Sequence, residues 1–353
     1  MTTPHEIALL RLAAQRLAGP ALPSAADAVR WLTAMQAQDF NGALTSVALR
    51  TAGGSRDMVE AALDDGEIVR SWPMRGTLHL VAAEDLPWML ALTAPRVLAG
   101  AARRRAQLEL DEATLERARD LAVAALGGGR ELRRDDLLAV WRDGGLTTTG
   151  QRGYHMLWHL AHLGTLCFGP VRGGDQRIVL LDEWIRKPRR LAGEEALGEL
   201  ALRYFRGHGP ATVKDLARWA SLTLTDARAG AALARPRLAR LDVDGVEHLM
   251  HPRTPEVLDA CRGRARGVFL LPGFDEYLLG YGDRGAMLPP EHADRIVPGG
   301  NGMFKPTVVS DGRVVGTWRH NGRGTKRAVQ ATPFETFSGE VVEAIAQVYA
   351  TLP

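Results

Sequence analysis

Two carboxamides one residue apart, in Gln36-Ala37-Gln38, are the side chains of this 353-residue chain whose type and spacing point most directly at chemistry. A carboxamide is not a useful base. It does accept and donate hydrogen bonds, so two of them can hold and orient one water molecule. Residues two apart share a face only in extended backbone. The pair can clamp a water only if the apolar-periodic helix before it has ended by Gln36, and Asp39-Phe40-Asn41-Gly42 supports a break there. The competing reading is a pair that caps or solvates a helix end. Asp39 places a carboxylate next door, which suits an electrostatic role or, more simply, a turn.

Other chemistry-bearing sets are weaker. His155, His159 and His162 recur at i, i+4 and i+7 and could line one helix face as metal ligands. No Glu completes an HExxH motif, and Leu157 and Trp158 read as core neighbours, so no metal is expected. Asp275-Glu276 is a paired carboxylate that suits acid–base work or the anchoring of a loop. There is no GxxxxGK[ST] motif, and the glycines at 127–129 lack a preceding strand, so no nucleotide-phosphate loop and no cofactor are expected. Arg319, Arg323, Lys326 and Arg327 fall on one hairpin tip with Asn321-Gly322 at its turn. Four cations on a projecting tip suit phosphate contact. Lys214 and Arg218 offer a second such pair on a helix, and both sets also read as plain solvated surface.

Length and composition set the frame. A chain of 353 residues implies roughly two to four modules, and 46% hydrophobic with 24% charged residues is globular. No run of about 18 apolar residues occurs, so no membrane span is expected. Met1-Thr2-Thr3-Pro4-His5-Glu6 lacks the basic start and apolar stretch of a signal peptide. Cys167 and Cys261 form no CxxC, which favours a reduced, cytoplasmic setting. The formal net charge is +3 but unevenly spread: residues 1–70 carry −2 and residues 201–267 carry +5. Only Lys187, Lys214, Lys305 and Lys326 are lysines, so 40 of the 44 basic residues are arginine. Guanidinium binds phosphate well, while a GC-rich genome yields the same bias without any polyanionic partner.

The positioning elements repeat. Apolar spacing predicts a helix over 4–17, a second from Ser24 through Val29, Leu32 and Met35, and a third after Ser55. Extended segments Ile68 to Trp72 and Thr77 to Val81 follow, joined by Pro73-Met74-Arg75-Gly76. The order returns with helices near 112–126, 134–143 and 150–163, then strands around Leu166 and Ile178. It returns again with helices near 194–206, 212–220 and 224–234, and strands either side of Asp244-Gly245. Three helices and a hairpin make a winged-helix unit, recurring at roughly 70 to 90 residues without textual identity. From Val268 short apolar runs alternate with Pro and Gly, which predicts an antiparallel sheet or small barrel closed by a helix over 338–349. Linkers are expected near 98–110, 183–193 and 251–256.

Several stretches, in order and across nearly the whole chain, resemble the AlkZ/AlkX-type superfamily of bacterial winged-helix DNA glycosylases. They are Gln36-Ala37-Gln38, Arg75-Gly76-Thr77-Leu78-His79-Leu80-Val81, Gly209-Pro210-Ala211-Thr212, Leu271-Pro272-Gly273-Phe274-Asp275-Glu276 with Asp283-Arg284, and Asp311-Gly312-Arg313-Val314-Val315-Gly316-Thr317-Trp318. Gln38 in the last motif position matches the Gln-aliphatic-Gln branch rather than the branch ending in Asp. The resemblance implies an α+β fold of three tandem winged-helix (helix-turn-helix) units in a C-shaped arrangement, followed by a C-terminal antiparallel β-barrel. Expected boundaries are 1–98, 99–187, 188–251 and 252–353.

It also implies hydrolysis of the N-glycosidic bond of N7-alkylated purines, in some members including interstrand crosslinks, with Gln36 and Gln38 as the catalytic pair. N7 alkylation makes the base cationic and a good leaving group, so positioned water and charge stabilisation can suffice where a carboxylate is usual. The expected partner is double-stranded DNA carrying alkylated purines, met by a monomer without cofactor. The alternative class is a non-catalytic winged-helix transcription regulator, which would dimerise and prefer one sequence. A protein-interaction scaffold would show no salt-dependent DNA affinity at all.

Overall fold

Thr3, Ser24, Asp39, Thr212 and Ser338 each accept a hydrogen bond from the backbone N–H three residues on, and a helix starts just after each. Those helices are Pro4–Ala14, Ala25–Leu32, Phe40–Ala48, Val213–Ala220 and Gly339–Ala350. The computed structural model describes residues 2–322 and 328–353. Its chain forms two compact units: Met1–Val59 together with Leu197–Pro353, and Glu60–Ala196.

In the first unit, helix Pro4–Ala14 is buried from Ile7 to Ala14 and packs on helix Thr254–Ala265. Helices Gly193–His208, Val213–Ala220 and Leu224–Ala234 precede the hairpin Ala239–Val243 with Val246–Met250. Asp244 and Gly245 both have positive φ (51° and 77°), the twist that a two-residue hairpin turn needs. Strands Val268–Leu271, Thr307–Ser310, Arg313–Asn321 and Ala328–Pro333 follow in spatial order, all antiparallel. The expected closed barrel is not found: among the described residues these four strands form an open sheet. Four strands are too few to close around a filled interior. Helix Gly339–Ala350 supplies the second layer, with Leu270, Val308, Trp318 and Ile345 buried between.

In the second unit, strand Ile68–Met74 pairs with Thr77–Ala82 on one side and, at Arg70 opposite Phe168, with Leu166–Arg172 on the other. Leu166–Arg172 pairs in turn with Asp175–Leu180. Helices Glu112–Leu126, Arg134–Asp143 and Arg152–His162 share one core with this sheet, built on Trp72, Trp141, Trp158 and Leu160. These elements match the expected spans to within a few residues.

Four local expectations are corrected. The second helix ends at Leu32, not Met35, because Thr33 adopts φ 73°. Helix Phe40–Ala48 was not anticipated: Gly42 to Ala48 are all buried, which erases the one-sided periodicity that marks a surface helix. The supposed linker near 98–110 contains the end of helix Leu86–Gly100 and helix Ala102–Gln107. The break read at 251–256 is a helix start, with Pro255 in the first turn where a missing N–H costs nothing. Among the described residues, no helix is long and apolar enough to cross a membrane.

Candidate active site

Thr33 stops the helix, Ala34–Gln36 then runs extended, and the chain bends at residues 38–39, where Asp39 caps the next helix. The glutamine pair thus sits on non-helical chain, with Gln36 at the end of the strand and Gln38 in the bend that follows. Burial follows that alternation: Met35 and Ala37 are buried, Gln36 is half-buried and Gln38 is exposed. Gln36 Oε1 is itself buried and has no hydrogen-bond partner among the described residues. Buried acceptors are almost always satisfied, so an exception at this motif marks a place for a donor from outside the chain.

Asp39 is occupied as a cap. Its Oδ1 accepts from the Gly42 N–H at 3.1 Å. A Cβ at residue 42 would lie 2.7 Å from Asp39 Oδ2, so glycine is what lets the carboxylate close over the helix start. This favours the turn role over a catalytic one.

The support beneath the motif comes from Asp275-Glu276. Glu276 Oε1 accepts from the Gln36 backbone N–H at 3.2 Å, across 240 residues of chain. Its Oε2 accepts from Trp219 Nε1 at 2.8 Å and faces His208 Nε2 at 3.3 Å, all three side chains being buried. Asp275 is the counter-ion of Arg50: NH1 donates to Oδ2 at 2.9 Å and NH2 to Oδ1 at 2.8 Å. Ser46 Oγ donates to the same Oδ2 at 2.6 Å, tying helix Phe40–Ala48 to this loop. Gln15 completes the frame, donating to the Glu276 carbonyl at 3.0 Å and accepting from Arg50 NH2 at 2.9 Å. Loop anchoring is therefore what this carboxylate pair does. Arg50 and Gln15 were not anticipated, since nothing in local spacing links residues more than 200 positions apart.

Beside Asp39 opens a cavity of about 470 Å³, lined among others by Asn41, Arg56, Trp318, Arg319 and His320. Arg56 donates to Asn41 Oδ1. Arg319 lies exposed on strand Arg313–Asn321, with Nε donating to Gln330 Oε1 at 2.9 Å. The strands on either side pair up to Asn321 opposite Ala328, so Arg319 borders both this cavity and the base of the expected basic tip. Arg323, Lys326 and Arg327 lie outside the described residues. Lys214 and Arg218 are exposed on helix Val213–Ala220. Arg218 also lines a second cavity, of about 620 Å³, with Asp283, Arg284 and Phe304.

The histidine set belongs to the other unit and reads as core. The His162 ring lies tilted against Trp158, 4.0 Å between centroids, and its Nδ1 meets the Trp158 carbonyl at 2.8 Å. Burial pulls the pKa of both His159 and His162 down to about 4. Among the described residues no three His, Cys, Asp or Glu side chains converge as a metal site. Cys167 and Cys261 are unpaired thiols.

Residues 29–352 match the family model described as DNA glycosylase AlkZ-like. A curated relative from Streptomyces sahachiroi, named an interstrand DNA cross-link repair glycosylase, is 33% identical over 318 residues, covering 84% of this chain and 82% of the relative. The solved structure of the Streptomyces sahachiroi DNA glycosylase AlkZ superposes with a TM-score of 0.81 at 28% identity, covering 99% of this chain and 96% of that one. With a family model spanning most of its length and a relative of this identity, the chain belongs to the AlkZ-like DNA glycosylase family.

Proposed function

We propose that this protein hydrolyses the N-glycosidic bond of N7-alkylated purines in double-stranded DNA, with Gln36 and Gln38 holding the attacking water. The observation that carries this reading is the non-helical break between two helices, which holds both carboxamides and, among the described residues, leaves Gln36 Oε1 without a partner. The water oxygen would bond to C1′ as the bond to the base breaks. The bonding pair leaves with the purine and cancels its positive charge, and the proton of the water is released to solvent. Because the leaving group is already cationic, neither a metal nor a lysine nucleophile is required. Glu276 acts here as a positioning residue, fixing the backbone from which Gln36 projects.

The target base would be exposed or flipped toward the motif. Lys214, Arg218 and Arg319, with Arg323, Lys326 and Arg327 of the tip, would meet backbone phosphates and set register without reading sequence. We read each helix set with its hairpin as a winged-helix unit, and the protein as a monomer. By analogy with the relative's name, interstrand crosslinks are within the proposed substrate range. Membership of a glycosylase family weighs against the regulator alternative.

Incubation with duplex DNA containing N7-methylguanine tests the reading. Free N7-methylguanine should appear, equally with and without EDTA, and borohydride should trap no protein–DNA adduct. Absence of released base at saturating protein would sink it.

A further inference from the structure

Arg16 ends helix Pro4–Ala14 in the left-handed conformation (φ 60°), where glycine is favoured and an L side chain is strained by about 1 kcal/mol. Its guanidinium lies over the indole of Trp31, 4.1 Å from the ring centroid, and that of Arg206 lies over the same ring at 4.8 Å. His251 approaches Trp31 at 6.3 Å between ring centroids. Arg16, Trp31, His251, Arg253 and Thr254 line a cavity of about 260 Å³, several times the space of one water.

Cations gather here, and among the described residues Arg253 is paired, with Glu256 at 3.3 Å, while Arg16 and Arg206 show no ion pair. The Nε–H groups of Arg16 and Arg206 are buried and have no hydrogen-bond partner among the described residues, although Arg206 NH2 donates to the Arg30 carbonyl at 2.9 Å. Glu199, the carboxylate that acts on Arg206, is held by Arg203 at 2.7 Å. Burial, and then mutual repulsion, pulls all three central groups below their ordinary pKa values. Arg16 is lowered beside Arg253, Arg206 to about 10 beside Arg203, and His251 beside Arg206 and Arg16. The Arg253 N–H donates to His251 Nδ1 at 3.2 Å, which makes Nε2 the protonated, donating nitrogen of the neutral ring. An oxyanion in the cavity would face Arg16, His251 and Arg253 and offset the repulsion among the cations around Trp31.

We propose that this cavity binds a phosphate group, through Arg16, His251 and Arg253 with Arg206 beside them. The group is either free phosphate or one phosphodiester of a nucleic-acid backbone. The proposal does not depend on the glycosylase reading.

Arginine Nε–H resonances of the full-length protein, followed in a ¹H–¹⁵N spectrum, test it. Titration with inorganic phosphate should shift the Arg16 and Arg206 signals, and Arg16→Gln should weaken phosphate binding at least about ten-fold, the loss of one charge-assisted hydrogen bond. Phosphate should raise the Tm of the wild type more than that of Arg16→Gln, because only an intact site binds the folded state. Undamaged duplex DNA separates the two sources. If it moves the same signals, and Arg253→Gln lowers the salt slope of DNA binding by about one, the phosphate belongs to a backbone. If phosphate binds but the slope is unchanged, it is free phosphate. Signals unmoved by phosphate and by DNA, with the Tm of Arg16→Gln lowered equally in both buffers, would overturn the proposal and leave a structural brace. Should Arg16→Gln not fold, exposed Arg253→Gln carries the same phosphate titration.

Discussion

Arg50 and Arg16 belong to the same compact unit and both touch the end of helix Pro4–Ala14, yet they are treated in opposite ways. Arg50 is fully buried, and its five N–H donors reach the Gln15 carbonyl and Oε1, the Ser46 carbonyl and both oxygens of Asp275. Arg16 lies over an aromatic ring with its Nε unpaired. A completed buried network holds a fold in one geometry, whereas an incomplete one has capacity left for something outside the chain. The glutamine motif shows both kinds in one place: Glu276 holds the Gln36 backbone, and the Gln36 side-chain oxygen is left open. Completed groups should therefore matter to stability, and open ones to binding or catalysis.

The largest expected effect tests the completed side. Arg50→Met or Asp275→Leu alone should destabilise the protein by about 3–5 kcal/mol, because each strands a buried charge. The double variant should lose clearly less than the sum, as urea denaturation would show. Additive losses would mean the pair is not one network.

Next in size is the glutamine motif. Gln38→Ala should slow single-turnover excision about 100-fold, roughly 2.7 kcal/mol in the barrier, with Tm and DNA affinity unchanged. Wild-type rates in both Gln36→Ala and Gln38→Ala would break the water clamp and with it the contrast.

Protonation probes a third kind of buried group, one that stays neutral. The pKa of His162 falls from 6.5 to about 4 on folding, so the unfolded chain takes up its proton first as pH drops. Stability of the Glu60–Ala196 unit should be full above pH 6.5 and be lost between 6.5 and about 4. At pH 5 the loss is on the order of 2 kcal/mol for buried His162. Half-buried His159 should add less, through screening by solvent. His162→Phe should flatten the pH dependence of unfolding, and an unchanged profile would refute the assignment.

The smallest effect belongs to Asp39, completed but exposed. Asp39→Ala should cost about 1 kcal/mol of stability, the usual loss of a helix cap. Excision should stay within a few-fold of wild type. A loss as large as that of Gln38→Ala would make Asp39 a catalytic carboxylate instead.

Much of this was legible from residue order alone. Helices with one apolar face and a capping residue, such as Glu112–Leu126 and Val213–Ala220, were readable because periodicity and caps are local properties. The hairpin turns at Arg75-Gly76, Gly173-Gly174 and Asp244-Gly245 were readable because their left-handed φ values favour glycine. The Gln36-Ala37-Gln38 motif was legible as a motif, but the break before it was not placed by local signals, because Thr33 rather than a glycine takes the left-handed φ that ends the helix at Leu32. Helix Phe40–Ala48 was hidden because burial all round leaves no pattern. What only the tertiary structure decided is which distant groups meet. Glu276 reaches Gln36, Asp275 meets Arg50, and Arg16 joins Arg206 and His251 around Trp31. Sequence carries the type of each donor and acceptor, but whether a buried one is completed or left open depends on partners brought in by packing from hundreds of residues away.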